Sequence, residues 1–94
     1  MSTTGRPSPF RIVGGRAGTV FYEGGKRVGE LGWEMLIGDV EMVIYASQCR
    51  WNSPETRPMT RAEIVDLVRL LASALPGRIE VAFGSSSQII DPDD

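Results

Sequence analysis

Two residue pairs, Gly24-Gly25 and Gly38-Asp39, each stand between runs in which apolar and polar side chains alternate. A two-residue connection between alternating runs signals a tight β-hairpin, because glycine supplies the positive φ that primed turns need. Two such hairpins in succession commit the chain to an antiparallel sheet. Centring the first turn on Gly24-Gly25 sets Glu23 opposite Lys26, Tyr22 opposite Arg27 and Phe21 opposite Val28. Opposite charges at the first pair and apolar groups two residues on are what cross-strand pairing favours.

The second turn sets Ile37 against Val40, Met35 against Met42 and Trp33 against Ile44. Strand side chains alternate with period two, so these six residues share one apolar face. Glu34, Leu36, Glu41, Val43 and Tyr45 take the other face, which reads as mixed and wetter. Gly32, between the hairpins, reads as a bulge or a sharp bend. An earlier short strand is expected over residues 10–13. Residues 47–58 hold two prolines and several charges, and read as a loop.

The period then changes. Thr60-Arg-Ala-Glu63 is a capping box, and Ile64, Leu67, Val68, Leu71 and Leu75 follow at three- and four-residue spacing. That pattern predicts a helix to about Leu75, ended by Pro76-Gly77, with its stripe covering the Trp33/Ile44 face. Glu63, Asp66 and Arg69 fall on its wetter side. Residues 78–83 alternate again, with Ile79, Val81 and Phe83 inward. The expectation is an α+β fold: an antiparallel sheet of about five or six strands, hairpins first, one helix in the C-terminal half packed on one face, then a final strand. Residues 1–8 read as a disordered lead-in, 9–84 as one domain and 85–94 as a polar, acidic tail.

With 94 residues, a chain can bury roughly two-thirds of its unfolded surface around a single core. The formal net charge of −2 argues against a general nucleic-acid binder, which needs a basic excess to displace counterions. Residues 1–30 are nevertheless basic (Arg6, Arg11, Arg16, Lys26 and Arg27 against Glu23 and Glu30), and the rest is acidic. Such asymmetry can orient a charged partner. One cysteine, no signal-like apolar run and no membrane-length segment fit a cytosolic protein that does not engage a membrane.

Candidate chemistry is sparse. The chain has no histidine, which removes the commonest general base and the commonest zinc ligand. Cys49 has no obvious group to generate a thiolate, and reads as a small packed residue. The glycines of residues 13–18 lead into a strand-like run, where a dinucleotide fingerprint needs a helix. Gly25-Lys26 lacks the Gly and Ser/Thr positions of a P-loop. Turns account for these glycines better. No catalytic residue, cofactor site or metal site is expected.

What remains is surface that could bind a protein. Trp and Arg dominate interface hot spots, which makes Arg50 and Trp51 one candidate pair. The competing reading packs Trp51 as a lid on the core and leaves Arg50 solvated. Tyr22, Glu23, Lys26 and Arg27, around the first hairpin turn, form the second candidate group.

The succession Tyr22-Glu23-Gly24-Gly25-Lys26-Arg27, Glu34-Met-Leu36, Val43-Ile-Tyr45 and Trp51-Asn-Ser-Pro54 resembles a family of small bacterial immunity proteins of polymorphic toxin systems. The shared pattern is an aromatic-Glu-Gly-Gly-basic hairpin, a Glu-x-Leu strand, a strand ending near Trp-x-x-Pro, one helix and a final strand. It spans residues 20–83. The resemblance implies a cytosolic protein that binds and blocks a cognate toxin, without assigning the contact to particular residues. Lys26 stands where that pattern more often carries Arg, and Lys cannot make the planar bidentate contact with a carboxylate. The alternative is a self-associating structural or accessory protein, a homo-oligomer formed through a sheet edge. Its motive is the Leu36/Val43/Tyr45 patch, on a face that one helix cannot cover.

Overall fold

The structure, a computed structural model, describes residues 8–35, 42–75 and 77–91. Its elements follow in the order β1 (Phe10–Gly14), β2 (Ala17–Gly24), β3 (Arg27–Met35), β4 (Met42–Ser53), β5 (Arg57–Pro58), α1 (Arg61–Ala74), β6 (Ile79–Ala82) and β7 (Ser87–Ile90). The strands form one sheet in the order β1-β2-β3-β4-β6-β7, with β5 added to the far half of β4. All neighbours are antiparallel except β4 and β6, which α1 joins in parallel. This is the α+β arrangement expected, with the hairpins first and the helix in the C-terminal half.

The second hairpin register agrees with the sequence: Trp33 pairs with Ile44 and Met35 with Met42. Its turn, with Leu36, Ile37, Val40 and Glu41, lies outside the described residues. The first register is displaced. Gly24 pairs with Arg27, Glu23 with Val28, Tyr22 with Gly29 and Phe21 with Glu30, so Gly25 and Lys26 make the turn. Gly25 has φ +60° and Lys26 has no positive φ, which suits a primed turn with glycine at its first central position. Moving the turn by one residue moves every partner by two. Each side chain therefore keeps its expected face, while the expected Glu23–Lys26, Tyr22–Arg27 and Phe21–Val28 pairings are all replaced.

Residues 47–58 are not a loop. β4 runs on to Ser53 and β5 forms at Arg57–Pro58, because Cys49 and Trp51 continue the inward alternation and are 2% and 4% exposed. The register slips twice along β3–β4, once on either side of the Gly29–Trp51 and Glu30–Arg50 pairs. At Gly32 the slip lays the Gln48 side chain where a Cβ would stand, 2.7 Å from the Gln48 Cβ. Glycine is thus required at the bulge by close approach. The tail reading also fails at residues 87–90. Gln88, Ile89 and Ile90 pair with β6, and Ile90 is buried opposite Ile79.

Thr60 caps α1 as expected: its Oγ1 accepts from the Glu63 N–H at 3.2 Å, and Glu63 Oε1 accepts from the Thr60 N–H at 2.8 Å. Ile64, Leu67, Val68 and Leu71 are buried, with Ala72, against Trp33, Met42, Ile44, Ile79 and Val81. Met35 departs from this face pattern and is 52% exposed. The opposite face departs in the other direction. Val43 is buried there between its neighbours Glu34 and Glu80.

Candidate protein-binding site

Strand alternation separates Arg50 from Trp51. Trp51 faces the helix side of the sheet, and Arg50, paired with Glu30, faces the opposite, open side. The expected Arg50-Trp51 pair is therefore not one surface. The lid reading of Trp51 fits its burial, and as a buried ring it is no ready contact for a partner.

The structure instead gathers Tyr22, Arg27 and Trp51 at the base of the first hairpin. The Trp51 ring meets Tyr22 edge-on at 6.1 Å between centroids, and Tyr22 in turn lies 5.3 Å from Phe10. The Arg27 guanidinium covers the other part of the indole at 4.5 Å, a distance at which a cation is attracted to the ring face. The indole N–H donates to Glu63 Oε1 at 3.1 Å. A cleft of about 170 Å³ lies among Tyr22, Arg27, Trp51, Glu63, Asp66 and Leu67.

Glu63 is the hub, and reading it as part of a wet helix face missed this. Arg57 grips it with two parallel hydrogen bonds, Nη1 to Oε1 at 3.0 Å and Nη2 to Oε2 at 2.8 Å. Arg27 Nη1 approaches Oε2 at 3.4 Å. One carboxylate thus ties the hairpin, β4, β5 and the helix N-terminus together, where the helix dipole also favours negative charge. The capping box identified Glu63 as a helix start. Nothing in the sequence marked Arg57 as its partner, since that pairing depends on β5.

No family model, curated protein or solved structure matches this chain.

The electrostatics of the described groups favour fixed charge over proton transfer. The Arg57 hydrogen bonds, then the Thr60 backbone N–H, hold the Glu63 carboxyl well below the usual carboxylate range against the opposing effect of burial. Glu63 in turn raises the Arg57 pKa. Burial pushes the Cys49 thiol up to about 12, which leaves it protonated at neutral pH. Tyr45 is raised by its hydrogen bond to Glu34, with further contributions from burial and from the Glu34 and Glu80 charges. Each of these groups moves away from neutrality, the reverse of what a general acid or base requires.

Of the other sequence candidates, Glu23 and Lys26 stand exposed at the hairpin end, with no side-chain partner among the described residues. Arg50 is also exposed and unpaired there, because Glu30 accepts instead from Asn52 Nδ2 at 3.0 Å.

Proposed function

We propose that this chain is a non-enzymatic, cytosolic protein-binding module that acts as an immunity-type inhibitor, offering its first hairpin end to a cognate toxin. The supporting observation is the bracing of that end. Arg27 is stacked on Trp51 and tied to Glu63, while Glu23 and Lys26 project free beyond it. A tip held from its base loses little conformational entropy on binding, so more of the contact energy appears as affinity. One acid and one base at the same hairpin end can read a complementary charge pattern on a partner. Stoichiometric blocking needs such a surface and no reactive group. The resemblance of residues 20–83 to immunity proteins supplies the class of partner.

The test is a titration of the proposed cognate toxin with the purified chain. An equimolar amount is expected to abolish toxin activity. Charge reversal of the tip, Glu23→Lys with Lys26→Glu, is expected to weaken binding on the order of 100-fold without changing thermal stability. A toxin that binds the chain and stays fully active would overturn the inhibitor reading.

A further inference from the structure

The sheet ends in β1 on one side and β7 on the other. Backbone pairing fixes which groups of β1 face outward. The Glu23 N–H donates to the Pro9 carbonyl at 2.9 Å, and bonded and non-bonded pairs alternate along an antiparallel ladder. Arg11 and Val13 are therefore the next residues bonded to β2, opposite Phe21 and Thr19. Phe10 and Ile12 turn their N–H and C=O groups away from the sheet. The Ser8 hydroxyl accepts from the Phe10 N–H at 3.1 Å. That leaves the Phe10 carbonyl and both groups of Ile12 without a partner among the described residues. The strand pairs without a bulge, and Ile12 and Val13 at its centre are 39% and 43% exposed. Such an edge is a template for one more strand.

Its charge selects what kind of strand. Residues 8–18, the strand with its turn, contain Arg11 and Arg16 and no acid. Neither makes an ion pair among the described residues, and Arg11 only lies 4.8 Å over the Phe21 ring. The acids of the inner strands are Glu23 on β2, and Glu30 and Glu34 on β3, which accept from Asn52 and Tyr45. A strand added outside β1 lies about 4.8 Å from it, about 10 Å from β2 and about 14 Å from β3. Salt screens charges over about 8–10 Å, so the added strand meets the two arginines first.

A second copy of this chain fits poorly. Two β1 edges centred on Ile12 bring their Arg11 side chains to diagonal positions on one face, where like charges repel. The β7 edge is followed by Asp91, whose carboxylate is already held by Arg78 at 2.9 Å.

We propose that β1 takes up an extended acidic segment of another protein as an added antiparallel strand. Ile12 exchanges two backbone hydrogen bonds with it, and the Phe10 carbonyl accepts a third. Arg11 and Val13 then form non-hydrogen-bonded pairs with the newcomer, the positions where cross-strand side chains come closest. The segment that fits has apolar residues opposite Ile12 and Val13, one acid opposite Arg11 and another reaching Arg16. Main-chain bonds supply the affinity and the arginines the selectivity for acids. Lys26 takes no part, so this contact stands or falls separately from the proposed toxin contact at the hairpin end.

The test is a titration of the full chain with the end-blocked peptide Glu-Thr-Val-Val-Glu-Thr, and with the same peptide carrying Lys for both Glu. The acidic peptide is expected to bind with Kd below about 1 mM at about 20 mM salt, and the basic one at least tenfold more weakly. Bound peptide should slow hydrogen exchange at the Ile12 amide and leave that of Val13, already bonded to β2, unchanged. Arg11→Glu with Arg16→Glu is expected to invert the preference between the peptides. Ile12→Pro removes an N–H that the fold does not use and is expected to abolish binding. If that variant unfolds, the charge inversion decides alone. Lys26→Ala is expected to change nothing, and a tenfold loss there would move the contact to the hairpin end and overturn the proposal. So would an acidic peptide that does not bind, equal binding of both peptides, or binding that persists in a folded Ile12→Pro variant.

Discussion

Trp51 and Arg50 are consecutive residues on one strand, and the molecule uses them in opposite ways. The indole is enclosed by Tyr22 and Arg27, and its N–H is satisfied by Glu63. The guanidinium one residue earlier faces away from the helix, with no described partner. Both residue types are common at interfaces, so composition cannot separate them. Burial and satisfaction of the polar atom do. A large ring with a paired N–H contributes to folding, whereas an unpaired exposed charge contributes little until something binds it.

The contrast is tested most severely at Trp51. Trp51→Ala removes the ring that Tyr22 and Arg27 pack against and leaves Glu63 without one donor. The expected loss is about 3–5 kcal/mol, as for other buried large-to-small changes. In a domain of this size that is a large share of the total stability. Urea unfolding should show a much lower midpoint with little change in slope. A loss under about 1 kcal/mol would mean that the ring is no lid, and would return it to the list of contact residues.

Glu63→Gln gives a smaller effect with a distinct pH signature. The amide can keep the capping contact but not the charge that Arg57 and Arg27 hold, so a loss of about 2 kcal/mol is expected at pH 7. The Glu63 pKa is depressed by folding from its ordinary value of 4.5. Its contribution is therefore complete above that value and is lost as pH falls through the folded one. Wild type and variant should differ by a constant amount above about pH 5.5 and converge in acid. A difference that persists unchanged to about pH 2 would show that the charge on Glu63 is not what holds the cluster.

How much of this was legible follows the range of each interaction. The capping box, the helix stripe and the Trp33–Ile44 register are local patterns, readable because partner spacing is set by helix or turn geometry. The first hairpin misled because three consecutive positions, Gly24, Gly25 and Lys26, allow two placements of a two-residue turn. Alternation is the same in both, so faces were predicted correctly and partners were not. The far part of β4 and the whole of β7 were missed for another reason. Polar residues 47–53 form strand because β3 and β5 supply hydrogen-bond partners, and Ile89-Ile90 is too short a run to stand out among serines and aspartates. The Glu63 hub was half visible: its helix-starting role is local, while Arg57, Arg27 and Trp51 reach it through pairing between separate elements. The placing of Arg50 across from Glu30 needed the β3–β4 bulges, which no spacing rule locates.

Arg50→Ala should have the smallest effect on folding and so test the other side of the comparison. At high salt and low protein concentration its unfolding free energy is expected within about 0.5 kcal/mol of wild type, because no internal contact is removed. Substituting Trp51 should produce the opposite result, a large loss of stability in the same solution. A loss above about 1 kcal/mol for Arg50→Ala in dilute, salted solution would reveal an internal partner for the guanidinium. The two neighbours would then share one role.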